Sequence, residues 1–149
     1  MNHEFARCFT KDLDSLAKEV ALCDETILWH VPPGITNSIG NLTQHLIGNL
    51  NHFIGATLGE TGYVRNREAE FSEHYLTKTE MISELKKTAL MLEKVLGSLT
   101  DEDLRKIYPL EPFGYQMTAN HMIMKLANHL GYHLGQINYL RRIAQGPKS

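Results

Sequence analysis

Apolar residues recur along this chain at steps of three and four, and no stretch shows the strict alternation of a half-buried strand. Phe5, Phe9, Leu13, Leu16, Val20 and Ile27 form the first such stripe and predict a helix from about His3 to Leu28. His30-Val31-Pro32-Pro33-Gly34 then breaks it, since proline lacks the N–H that a helix needs and glycine turns freely. Asn37 or Ser38 supplies the N-cap of a second helix, Ile39 to Leu58, with Gly59 as its stop. Thr77-Lys78-Thr79-Glu80 reads as a capping box. It opens a third helix through about Leu96, with Met81, Leu85, Thr88, Leu92 and Val95 facing inward and Gly97 ending it. Thr100 caps a short turn to Lys106, and Thr118 caps a last long helix that runs to about Ala144 before Gly146-Pro147.

Residues 60–77 show no clean period, and so long a connection inside a compact domain is usually functional or crosses the bundle. The expected fold is therefore all-α: a four-helix bundle with a long crossover loop between helices 2 and 3. The 149 residues suit one domain, 1–149, with a single core.

Composition narrows the partners. With 42% hydrophobic and 21% charged residues the chain has ordinary globular proportions. A net charge of −2 gives no basic field to hold nucleic acid or an anionic membrane surface. No apolar run is long enough to span a bilayer, and the N-terminal stretch has no apolar signal core, so a cytoplasmic location is expected. Cys8 and Cys23 are fifteen residues apart on one expected helix, over ~20 Å at the helical rise. They are expected to be reduced and half-buried rather than paired.

The candidate chemistry lies in histidines. The inward stripe of the last helix runs Met122, Leu126, His129, Leu130, His133, Ile137 and Leu140. Two imidazoles at i and i+4 can bind one metal from a single helix, although HxxxH alone is a common pattern. The second helix places His45 on its own core face, beside Leu42, Leu46, Asn49 and Phe53. Three imidazoles converging from facing helices would leave open positions on an ion, as catalytic rather than structural sites do. Without an ion, each buried imidazole needs a separate polar partner. His52, seven residues beyond His45, is the reserve ligand or orienting group and the best local candidate for a general base. His3, His30, His74 and His121 read as ordinary histidines. Gly131 and Gly135 read as clearance that lets a facing helix approach His129 and His133. The chain has no HExxH, no Glu-x-x-His pairs, no P-loop and no GxGxxG.

Taken together, SIGNLTQHLIGN (Ser38 to Asn49), VRNREAEF (Val64 to Phe71) and NHLGYHLGQINYLRR (Asn128 to Arg142) resemble the DinB/YfiT-like (damage-inducible protein DinB) superfamily across most of the chain. The resemblance implies a four-helix bundle, often a homodimer, holding a divalent metal on one histidine of helix two and an HxxxH of helix four. Those positions are His45, His129 and His133. Related proteins include bacillithiol and mycothiol S-transferases, a mycothiol-dependent maleylpyruvate isomerase and metal-dependent hydrolases. The expectation is thus a metal-dependent enzyme that joins a low-molecular-weight thiol to a small-molecule electrophile. One alternative is a hydrolase using metal-bound water; another is a non-catalytic stress-response or small-molecule-binding bundle that the metal stabilises. Imidazole ligands favour zinc or nickel, with iron or manganese also admissible. The matching stretches also draw in Asn49, Arg65, Arg67 and Glu70, read as a polar loop pinning itself to the bundle end. Trp29 could wall the pocket mouth, and Gln136, one turn beyond His133, could support a ligand.

Overall fold

A computed structural model describes residues 3–147; residues 1, 2, 148 and 149 of the expected domain lie outside the described residues. The elements are α1 (His3–Leu22), α2 (Glu25–Trp29), α3 (Ile39–Leu50), a π-helical stretch (Asn51–Ala56), α4 (Thr57–Gly59), α5 (Arg67–Ser72), α6 (Lys78–Ser98), α7 (Asp101–Arg105) and α8 (Ala119–Gln145). Among the described residues there is no strand, only an isolated bridge between Ile107 and Thr118. The fold is an all-α four-helix bundle built from α1, the α3-to-α4 run, α6 and α8. Among the described residues no helix is long and apolar enough to cross a membrane.

The predicted stripes supply the core. Phe9, Leu13, Leu16 and Val20 of α1 are fully buried, against Met81, Leu85 and Leu92 of α6 and Met122, Leu126 and Ile137 of α8. Glu19 latches the far end of α1 to α8, accepting from Asn138 at 2.7 Å and pairing with Arg141. The expected first helix is interrupted: α1 stops at Leu22, and Asp24 starts α2 by accepting from the Ile27 N–H at 2.8 Å. A short acceptor side chain there offers the backbone a cap in place of continued helix. The two cysteines differ accordingly, Cys8 exposed and Cys23 buried, and burial pushes the Cys23 thiol up to about 11.

Three expectations about glycine need correction. Gly59 ends α4, but Glu60 takes the left-handed conformation (φ 50°), while a Cβ on Gly59 would collide with Val95. The position demands glycine for packing, not for a turn. Gly97 does not stop α6, which continues through Ser98. Gly131 and Gly135 face open space, with nothing for a Cβ to meet, so they provide no helix clearance.

α3 explains the crossover. Every residue from Ile39 to Leu50 is buried, polar ones included. A buried amide needs partners, and the crossover supplies them. Asn41 donates to the carbonyls of Glu70 (2.9 Å) and Glu73 (3.1 Å). Gln44 donates to the same two carbonyls, at 3.2 and 2.8 Å, and accepts from the N–H groups of Tyr75 and Leu76, both at 3.1 Å. The connection without a clean period therefore contains α5, capped by Asn66, and its stretch from Glu70 to Leu76 is hydrogen-bonded to α3. Beyond α3 the helix widens into the π stretch, and the buried Tyr108 hydroxyl donates to the Phe53 carbonyl at 2.6 Å. Such π segments often mark functional surroundings.

Candidate metal centre

His45 comes from the middle of α3; His129 and His133 lie one turn apart on α8. Their Nε2 atoms converge. His129 Nε2 lies 3.2 Å from His45 Nε2 and 3.1 Å from His133 Nε2, with the ring planes nearly perpendicular. One ligand atom from each residue falls within 4.8 Å of the others.

The outer nitrogens decide what the inner ones can do. His45 Nδ1 meets Glu70 Oε1 at 3.1 Å, and Arg65 clamps the same carboxylate through Nε (2.8 Å to Oε2) and a terminal nitrogen (2.8 Å to Oε1). Burial works to raise the Glu70 carboxyl, but the hydrogen bonds from His45 and Arg65 and the guanidinium charge outweigh it, leaving it below 4.5. Glu70 is thus an ionised acceptor at 3.1 Å, closer to His45 Nδ1 than the Arg65 nitrogen at 3.3 Å. This favours the tautomer with the proton on Nδ1 and a lone pair on Nε2. On α8, His133 Nδ1 donates to Gln136 Oε1 at 2.7 Å, which likewise leaves Nε2 as a lone pair. His129 Nδ1 is buried and, among the described residues, has no hydrogen-bond partner. Burial pushes the His129 imidazolium down to about 4, helped by the neighbouring His133, and lowers His133 as well.

Converging neutral nitrogens suit a cation. Two of the three spacings, 3.1 and 3.2 Å, approach the separation of about 3.3 Å between ligands on a tetrahedral ion with bonds near 2.0–2.1 Å. Support of a ligating histidine through its second nitrogen, above all by a carboxylate, is the usual companion of a metal site. The residues present therefore fit a divalent ion.

The other expected residues are placed as follows. Gln136 touches His133, and Asn49 and Arg67 line the cavity beside the centre. His52 stands in the π stretch with its ring edge against Phe53, outside the cluster, and burial lowers its pKa. Trp29 stacks on His74 at 3.8 Å and covers Gly40, where a Cβ would collide with the indole. His121 contacts Tyr115 at the other end of α8.

Glu70 and Arg65 are the residues whose role the sequence reading missed. They were expected to pin the loop to the bundle end through a salt bridge, which they do, but not to support a candidate ligand. In the structure the Glu70 side chain is 1% exposed and holds His45. Gly48, one turn after Gln44, is the signal that could have found them: a Cβ there would strike the Glu70 carboxylate. Glycine in the middle of a buried helix implies that something approaches closely.

Two hollows meet the centre. One, about 540 Å³, reaches His45 and His129 and is walled by Phe53, Phe113, Met122 and Leu126. The other, about 690 Å³, reaches His133 and Gln136 past Leu42, Tyr132 and Leu140. A larger open concavity near Arg141 and Arg142 at the end of α8 has none of the three histidines in its lining.

Comparison with known proteins agrees with this architecture. A conserved protein from Enterococcus faecalis superposes with a TM-score of 0.78 at 14% identity, over 99% of this chain and 98% of that one. A DinB-like protein, YjoA, from Bacillus subtilis superposes with a TM-score of 0.73 at 15% identity, covering 97% and 94%. A DinB-like protein from Bacillus cereus gives 0.70 at 22% identity, covering 97% and 95%. At these identities the likeness concerns the fold. No curated protein matches the chain significantly. The sequence pattern described as "Protein of unknown function (DUF1572)" matches residues 5–148, almost the whole chain. The chain belongs to the DUF1572 family, and its fold is similar to that of the DinB-like proteins.

Proposed function

We propose that the protein is a metal-dependent transferase that activates a low-molecular-weight thiol at His45, His129 and His133 and joins it to a small electrophile. The convergence of three Nε2 lone pairs carries this reading. A divalent ion bound there would supply Lewis acidity, favouring the deprotonated form of a thiol or water. The chain's own residues do the rest. Glu70 and Gln136 fix the imidazole tautomers, and Arg65 keeps Glu70 ionised. The two hollows give a small molecule access to the centre from either side.

One feature favours thiol over water. Glu70, the carboxylate in contact with the centre, is fully engaged by Arg65 and His45 and is not free to take a proton. A thiol with a pKa near 8.5 needs far less help from a base than water at about 15.7. Zinc or nickel is the proposed metal, since both suit imidazole.

The test is metal analysis of untagged protein purified without chelator, followed by a screen of thiol cofactors against a generic electrophile. Near-stoichiometric divalent metal is expected, with thiol consumption that requires both the metal and His133. Lack of metal binding in wild-type protein would overturn the reading. Metal without His133-dependent thiol consumption would leave a structural site and sink the transferase.

A further inference from the structure

The hollow between His45 and His129 carries charge of one sign. Of its lining residues, Arg65, Arg67 and Lys125 are cationic and none is acidic. Arg65 is neutralised by Glu70. Arg67 and Lys125 are not: among the described residues neither forms an ion pair. Arg67 lies over the Phe71 ring at 5.2 Å and Lys125 over the Phe113 ring at 4.5 Å. Aromatic faces hold a cation in place without cancelling its charge.

A second observation concerns polar atoms of two residues that line the same hollow. Asn49 is 7% exposed, and among the described residues its Oδ1 has no hydrogen-bond partner. His129 Nδ1, also buried, has none either. One is an acceptor and the other, once Nε2 faces the centre, a donor. Buried atoms of this kind are rarely left unmatched in a folded protein. A ligand hydroxyl, which both accepts and donates, matches this pair in chemical type. The hollow that reaches His133 offers a contrast, with no charged residue in its lining.

We infer that the 540 Å³ hollow is a binding site for a small organic carboxylate. Lys125 and Arg67 take the carboxylate, a hydroxyl faces Asn49 and His129, and the apolar body lies on Phe53, Phe113 and Met122. This inference rests on the proposed function for its biological meaning: it makes the thiol or the electrophile an acid. The charge selection itself belongs to this chain's residues and is measured independently of turnover.

The probes are 3-phenyllactate and its uncharged amide, titrated by calorimetry into metal-free and zinc-loaded protein. The acid is expected to bind about tenfold or more tightly than the amide in both forms, in line with a charge-assisted hydrogen bond. Lys125→Met and Arg67→Met should each erase most of that preference while leaving zinc stoichiometry and melting temperature unchanged. Equal binding of acid and amide to wild-type protein would overturn the inference. So would a preference that appears only with zinc and survives in both variants, since the carboxylate would then be held by the ion. Neither result touches the zinc and thiol measurements that test the proposed function.

Discussion

His45 reaches the centre from α3, where every residue is buried, whereas His129 and His133 come from α8, whose other face meets solvent. The two sides are held differently. On the α3 side an ionised carboxylate, itself clamped by an arginine, fixes the imidazole from behind. On the α8 side a neutral amide from the same helix supports one imidazole, and the other has no support. The glycines follow the same division. Gly48 on α3 is needed for Glu70 to come close, while Gly131 and Gly135 on α8 touch nothing. The difference teaches that the α3 side is preorganised by tertiary packing, and the α8 side by helical spacing alone.

Breaking the charged side should have the largest effect. Glu70→Ala leaves Arg65 and His45 buried without their acceptor, and removing one partner of a buried pair destabilises by about 3–5 kcal/mol. Urea denaturation measures this, and a loss below ~1 kcal/mol, the range of an exposed pair, would show that the cluster is not the clamp described. Gly48→Ala comes next. The added methyl displaces the Glu70 carboxylate, with an expected loss of about 1–3 kcal/mol and weaker zinc binding.

The amide on α8 should matter less to stability and more to the metal. Gln136→Ala is expected to weaken zinc affinity about 10–100-fold in a competitive chelator titration while barely moving the melting temperature. Acid should then act on both sides with the same sign. Burial holds the folded His129 at about 4 against an ordinary value of 6.5, so the unfolded chain binds a proton that the folded chain refuses. That contribution is complete above pH 6.5 and disappears as the pH falls toward about 4. Glu70, lowered by its partners, adds a further loss below 4.5. In metal-free protein the urea midpoint should fall between pH 6.5 and 4, and His129→Gln should flatten that slope. The smallest effect is a gain: Gly131→Ala and Gly135→Ala should each stabilise the helix by about 0.5–1 kcal/mol, because the new methyl meets nothing. A loss at either position would restore the clearance role expected from sequence.

Much of the bundle was readable because helical burial is written as local periodicity. Met81, Leu85, Thr88, Leu92 and Val95 are all buried, as their spacing predicts, and Ser38, Thr77, Thr100 and Thr118 all cap the helices they precede. The break at Asp24 was harder to see because the apolar stripe continues through Ile27, and one capping hydrogen bond outweighs it. Trp29 offered no local sign of its partner, since stacking on His74 depends on two segments far apart in sequence.

The sequence by itself determined that His129 and His133 share one face, because a spacing of four is a property of the helix. It also determined that His45 lies on a buried stripe. Only the tertiary structure decided that these two faces meet with their Nε2 atoms about 3 Å apart. It alone made VRNREAEF, expected to pin itself to the bundle end, the support of the centre. A carboxylate 25 residues from the histidine it holds leaves no period to read, and what positions it is the demand of Asn41 and Gln44 for carbonyl partners inside the fold.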